Sequence, residues 1–81
     1  MNKILIDLDA FETIKEFHLW LKEQCQFPEY YGCNLDALYD CLSDNQQFEF
    51  QIMPSEKYEE YQACLVDAII DAGCKVQFIL E

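Results

Sequence analysis

Positive charge is scarce in this chain. Five lysines and no arginine stand against sixteen acidic residues, for a formal net charge of −11. A surface of that sign repels nucleic acid and anionic membranes, and it attracts cationic partners through long-range steering. Folding does not call for such acidity, because self-repulsion destabilises the compact state. A basic partner is the natural inference. Glycine and proline are also few, two of each, and no linker, internal repeat or low-complexity segment interrupts the chain. No stretch approaches the ~20 consecutive apolar residues of a membrane-spanning helix. Near the N-terminus a short apolar run is broken by Asp7 and Asp9 before the apolar region of a signal peptide can form. There is one histidine and no C-x-x-C pair, so the common zinc and dithiol-redox patterns are missing.

Apolar residues are plentiful. They make up 52% of 81 residues, 15% of the chain being aromatic, which suffices for a core in one domain over residues 1–81. Five cysteines (25, 33, 41, 64 and 74) form an odd set. Without a secretory signal, that points to free thiols and a soluble, cytoplasmic protein. Cys41, Cys64 and Cys74 read as buried thiols. Cys33, beside a helix start, is the candidate for reactivity, against the plainer reading of an inert exposed thiol.

Asn2 to Leu8 is an apolar run of strand length. Asp9 and Glu12 have capping-box spacing, and the helix after them carries Phe11, Ile14, Phe17 and Leu21 on one stripe, flanked by Trp20. His18, one residue off that stripe, is expected on the outer face. Phe48 to Ile52 alternates with period two, as a strand does. Pro54 stops it, and Ser55 is placed to cap a long helix with Tyr58, Tyr61, Leu65, Ala68, Ile69 and Ala72 at helical spacing. Gly73 suits the position after that helix. Lys75 to Leu80 reads as a third strand. Strands alternating with helices require crossovers, and so the expected fold is α/β, a small three-stranded parallel sheet packed with helices. Ile4, Ile6, Leu38, Leu42, Phe50, Leu65, Val76 and Phe78 are the expected core.

The most informative stretch is Phe27 to Ser43. Pro28 fixes one backbone angle, Gly32 can supply a positive φ, and Asn34 is a good N-cap. Leu35, Leu38 and Leu42, with Cys41 beside them, then form a core-facing helical stripe. Asp36 and Asp40, four residues apart, project together from another face, with Tyr39 and Ser43 alongside. Like charges at that spacing cost roughly 0.2–0.5 kcal/mol, and aspartate is a poor helix former. A solvated acidic face is one reading and a binding face the other. Pro28-Glu29-Tyr30-Tyr31-Gly32 followed by Asn34-Leu35-Asp36-Ala37-Leu38-Tyr39-Asp40-Cys41-Leu42 resembles the signature of the barstar family of intracellular ribonuclease inhibitors, over about a fifth of the chain.

That resemblance implies the same α/β architecture, with the acidic helix and its loop at one end. The segment between Ile52 and Gly73 is short for the family, so a separate third helix is either missing or fused to the next. The resemblance also implies an inhibitor that plugs a basic, extracellular or toxin-type ribonuclease in a 1:1 complex, with no catalytic residue, cofactor or metal of its own. Asp40 matches the family's principal hot-spot aspartate and Asp36 its acidic neighbour. Tyr30, Asn34, Leu35, Tyr39, Ser43, Asp44 and Asn45 complete the implied contact set. Tyr39 and Asn45 stand where the best-known member has tryptophans, Asp44 where it has a loop glycine, and Ala68 where it has an interface glutamate, with Asp67 and Asp71 nearby. These departures bear on which enzyme is bound. An acidic adaptor for some other basic protein, and an immunity protein to a DNA-cleaving toxin, are the alternatives. Catalysis by Asp36 and Asp40 would need a cleft that a convex helix does not offer.

Overall fold

In a computed structural model, residues 2–44 and 47–79 are described. Strand β1 (Asn2–Ile6) leads through a short 3-10 turn (Leu8–Ala10) into α1 (Ile14–Cys25). Then come α2 (Leu35–Asp44), β2 (Phe48–Ile52), α3 (Glu59–Asp71) and β3 (Lys75–Phe78). The strands form one parallel sheet in the order β1-β2-β3, with Ile4 opposite Phe50 and Phe50 opposite Val76. This is the expected α/β fold. One helix, α3, occupies the short segment between β2 and β3.

Burial alternates along β1 and β2. Ile4, Ile6, Phe48, Phe50 and Ile52 are buried on one face, while Lys3 and Leu5 are exposed on the other. The helices cover the first face, where Phe17, Leu21, Leu38, Leu42, Leu65 and Ile69 are fully buried. Removing that much apolar side chain from water is the main stabilising contribution, at about 25 cal/mol per Å². The expected core holds except on β3, where Val76 is half-buried and Phe78 is 42% exposed. Phe78 ends β3, and it is exposed although its register partner Ile52, on the central strand, is fully enclosed. Leu80 lies outside the described residues.

Several local expectations are corrected. The N-cap of α1 is Thr13, whose hydroxyl accepts the Glu16 N–H (3.1 Å), while the Glu16 carboxylate accepts the Glu12 N–H (3.1 Å). Asp9 instead accepts from the Ser55 hydroxyl, at 2.7 Å, and Asp7 caps the 3-10 turn. Phe11 therefore precedes α1, and its ring packs on Phe17 and Trp20. Ser55 caps a turn before α3, its hydroxyl accepting the Tyr58 N–H (3.0 Å). Gly73, with φ 92°, closes α3 as a C′ glycine should: its N–H donates to the Ile70 carbonyl (3.0 Å) and the following Cys74 N–H to the Ile69 carbonyl (3.2 Å). Cys64 is exposed, since Gln62, Leu65 and Ile69 define the inner face of α3. His18, expected outside, is fully buried.

Candidate functional site

The acidic helix is built as its residues dictate. The Asn34 backbone carbonyl accepts the Leu38 N–H at 3.0 Å, and its side-chain amide oxygen accepts the Ala37 N–H at 2.8 Å. Both ends of that amide are engaged, for its nitrogen also donates to the Gly32 carbonyl at 3.3 Å. The positive φ before the cap falls on Cys33 (55°) and not on Gly32. Gly32 is instead a matter of room: a Cβ there would stand 3.3 Å from the Asn34 amide nitrogen. Leu38 and Leu42 are fully buried and Leu35 and Cys41 half-buried. With that stripe inward, Asp36, Asp40 and Asp44 form a row at i, i+4 and i+8 on exposed positions, and Tyr39 (42% exposed) and Ser43 lie beside it.

No described residue makes an ion pair with this row. Between Lys22 and Lys57 the chain has seven carboxylates and no basic residue. Asp36, in the first turn, is favoured by the helix dipole, whereas Asp44 closes the helix at its negative end without a basic residue nearby. Each i, i+4 pair adds roughly 0.2–0.5 kcal/mol of repulsion. Local stability does not account for the row. The half-buried Cys41 thiol lies behind it, its pKa raised by burial and then by Asp40 and Asp44.

The preceding loop is pinned at both ends. Gln26, in the left-handed conformation, ends α1, and the Phe27 N–H bonds back to the Lys22 carbonyl (3.0 Å). The Tyr31 N–H closes a turn on the Pro28 carbonyl, also at 3.0 Å. The Phe27 and Tyr31 rings point inward with centroids 4.9 Å apart, leaving Tyr30 outward and 85% exposed. A shallow depression lined by Phe27, Pro28, Tyr30, Cys41 and Asp44 joins this loop to the end of α2. The structure thus brings Tyr30, Asn34, Asp36, Tyr39, Asp40, Ser43 and Asp44 onto one loop–helix unit, with Leu35 half inside it. Asn45 lies outside the described residues. On α3, Asp67 and Asp71 are exposed and Ala68 half-buried.

Sequence reasoning missed the support beneath the loop. His18 Nδ1 lies 2.6 Å from the Tyr31 hydroxyl, and Nε2 lies 2.5 Å from the Tyr61 hydroxyl on α3. Burial lowers the His18 pKa to about 4, so the ring is neutral near pH 7. Burial also raises the Tyr61 pKa to about 12 and pushes Tyr31 higher still. The available signal was spacing: Ile14, Phe17, His18, Leu21 and Cys25 together make a stripe one residue wider than the apolar residues alone.

Chemically, exposed carboxylates on a convex helix accept charge-assisted hydrogen bonds from lysine or arginine. Among the described residues no group of three or more His, Cys, Asp or Glu is placed to hold a metal ion. Likewise no helix there is long and apolar enough to cross a membrane. A 43-residue stretch is 56% identical to a Bacillus subtilis (strain 168) protein named putative ribonuclease inhibitor YrdF, covering 53% of this chain. The stretch spans about half of that relative, 47% of its length. The family model described as Barstar (barnase inhibitor) matches residues 1–72, most of the chain, and the protein therefore belongs to the barstar family.

Proposed function

We propose that the protein is a ribonuclease inhibitor that blocks a basic active site with the acidic row of α2. Ribonuclease sites hold phosphate with cationic groups. A carboxylate on a fixed helix can take the place of that phosphate and accept the same charge-assisted hydrogen bonds. The observation carrying this reading is the exposed, unpaired Asp36–Asp40–Asp44 row beside the outward Tyr30. Membership of a family of inhibitors and the name of the Bacillus relative support it. In this reading Asp40 enters the pocket, Asp36 and Asp44 flank it, and Tyr30, Leu35, Tyr39 and Ser43 exclude water around the contact. The complex is one-to-one, and the inhibitor acts in a reducing cytoplasm as an immunity protein, which suits its free cysteines.

The test is a titration of RNA cleavage by a basic ribonuclease, with barnase as the first enzyme. An inhibitor abolishes turnover at one equivalent. Binding that leaves turnover intact would instead mark an acidic adaptor, and inhibition confined to DNA cleavage would assign the partner to that class of toxin.

A further inference from the structure

The docking loop and α3 do not adjoin in sequence, yet one buried side chain joins them. His18 on α1 reaches Tyr31 of the loop through one ring nitrogen and Tyr61 of α3 through the other. A neutral imidazole has one donor and one acceptor. The Tyr31 hydroxyl is buried and His18 is its hydrogen-bond partner, so its proton is satisfied if it donates to Nδ1. Nε2–H then donates to the Tyr61 oxygen, and the half-buried Tyr61 hydroxyl can direct its own proton towards water. The opposite tautomer leaves the Tyr31 proton without an acceptor in the interior, which is unfavourable. All buried side-chain polar atoms among the described residues are then satisfied.

We propose that Tyr61, acting through His18, is a positioning residue for the docking face. The chain Tyr61–His18–Tyr31 holds the Tyr31 ring in the core. Tyr31 closes the turn that starts at Pro28, and it is flanked by the outward Tyr30 and by the Gly32–Asn34 segment that caps α2. Fixing the inner tyrosine therefore fixes the presentation of the outer one and the start of the acidic helix. A loop that samples other arrangements binds more weakly in proportion to the time spent in them. The functional half of this inference rests on the inhibitor reading above; the structural half does not.

The experiment uses Tyr61→Phe, which keeps the ring and deletes one oxygen, together with Tyr31→Phe, the double variant and His18→Gln. Amide hydrogen exchange of Tyr31, bonded to Pro28, and of Ala37, bonded to the Asn34 cap, is followed without any partner, and inhibition of barnase is measured in parallel. Tyr61→Phe should speed exchange in the loop, although its own ring is on α3, and weaken inhibition about three- to tenfold, the scale of one buried hydrogen bond. The double variant should be little worse than Tyr31→Phe alone, because both changes break one chain. His18→Gln, with an amide donor and acceptor, should restore part of the protection lost in a His18→Ala control. Unchanged loop exchange in Tyr61→Phe, or additive effects in the double variant, would overturn the proposal. Loss of loop protection with unaltered inhibition would remove the positioning role. If wild type leaves barnase active, the inhibitor reading fails for that enzyme, and with it the functional half, while exchange still judges the hydrogen-bond chain.

Discussion

His18 should make the protein acid-sensitive by a calculable amount. The ring is fully buried, and it faces two neutral hydroxyls, Tyr31 from the loop and Tyr61 from α3, besides the Phe17 ring. No carboxylate contributes to its shift; burial alone takes the pKa from 6.5 to about 4. The unfolded chain therefore takes up the proton first as pH falls. The stability that His18 contributes is complete above pH 6.5, falls away below it, and is fully lost near pH 4. Each unit of pKa difference corresponds to about 1.4 kcal/mol, so the loss between pH 7 and pH 5 is about 2 kcal/mol. The sixteen acidic residues are common to wild type and His18→Gln, so their contribution cancels in the comparison. Urea unfolding of both proteins at pH 7, 6 and 5 isolates the histidine. The wild-type advantage should shrink by about 2 kcal/mol over that range, with equal m-values at each pH. A difference that stays flat would mean that His18 is solvated in the folded protein as in the unfolded chain, and one that grows as pH falls would mean that folding favours the protonated ring.

Three further outcomes follow from the packing. Leu38→Ala should cost about 2–5 kcal/mol, since Leu38 is fully buried and the neighbouring elements cannot collapse into the space; a denaturation midpoint unchanged from wild type would put the wrong face of α2 inward. Thiol labelling with peptide mapping should find Cys64 modified first, being the exposed one, ahead of Cys33, which its place before α2 singled out but which is half-buried, and Cys25 last, being buried with a pKa raised to about 12; early modification of Cys25 would contradict the packing of α1. Gln26→Gly should raise stability by up to ~1 kcal/mol in thermal unfolding, because Gln26 holds a left-handed conformation that glycine adopts without a side-chain penalty. A lower melting temperature there would refute that assignment.

The architecture was legible because it is written in local patterns. An apolar run and a period-two segment gave β1 and β2. Asn34 announced α2, and Gly73 announced the end of α3. What stayed hidden depends on partners far away in sequence. Asp9 looks like a cap, but its hydrogen bond goes to Ser55, 46 residues on, and Thr13 caps α1 in its place. His18 looks like a surface residue until two hydroxyls, 13 and 43 residues away, make its burial affordable. Phe78 has the pattern of a core residue and stands at the end of the last strand. The turn chemistry misled in a smaller way: glycine is the default for positive φ, yet Cys33 takes it here while Gly32 makes room for the cap. Within the candidate site, the outward Asp36–Asp40 pair followed from helical spacing, whereas the extension of α2 to Asp44, read from sequence as the start of a polar loop, and the inward Tyr31 beside the outward Tyr30 did not.

The most direct test of the account is stopped-flow binding of Asp40→Ala and Asp36→Ala, beside wild type, to a purified basic ribonuclease that the wild type inhibits. Thermal unfolding of each variant accompanies it. Asp40→Ala should weaken binding by about 2–5 kcal/mol, mostly through faster dissociation, because it leaves cationic groups unpaired in a desolvated pocket. Asp36→Ala should cost less. Asp40→Ala should also fold as well as wild type or better by a few tenths of a kcal/mol, having relieved like-charge pairs along α2. Added salt should slow wild-type association, as a steered encounter requires. If Asp40→Ala binds as tightly as wild type, the row on α2 is a solvated face and the enzyme is blocked elsewhere on the protein.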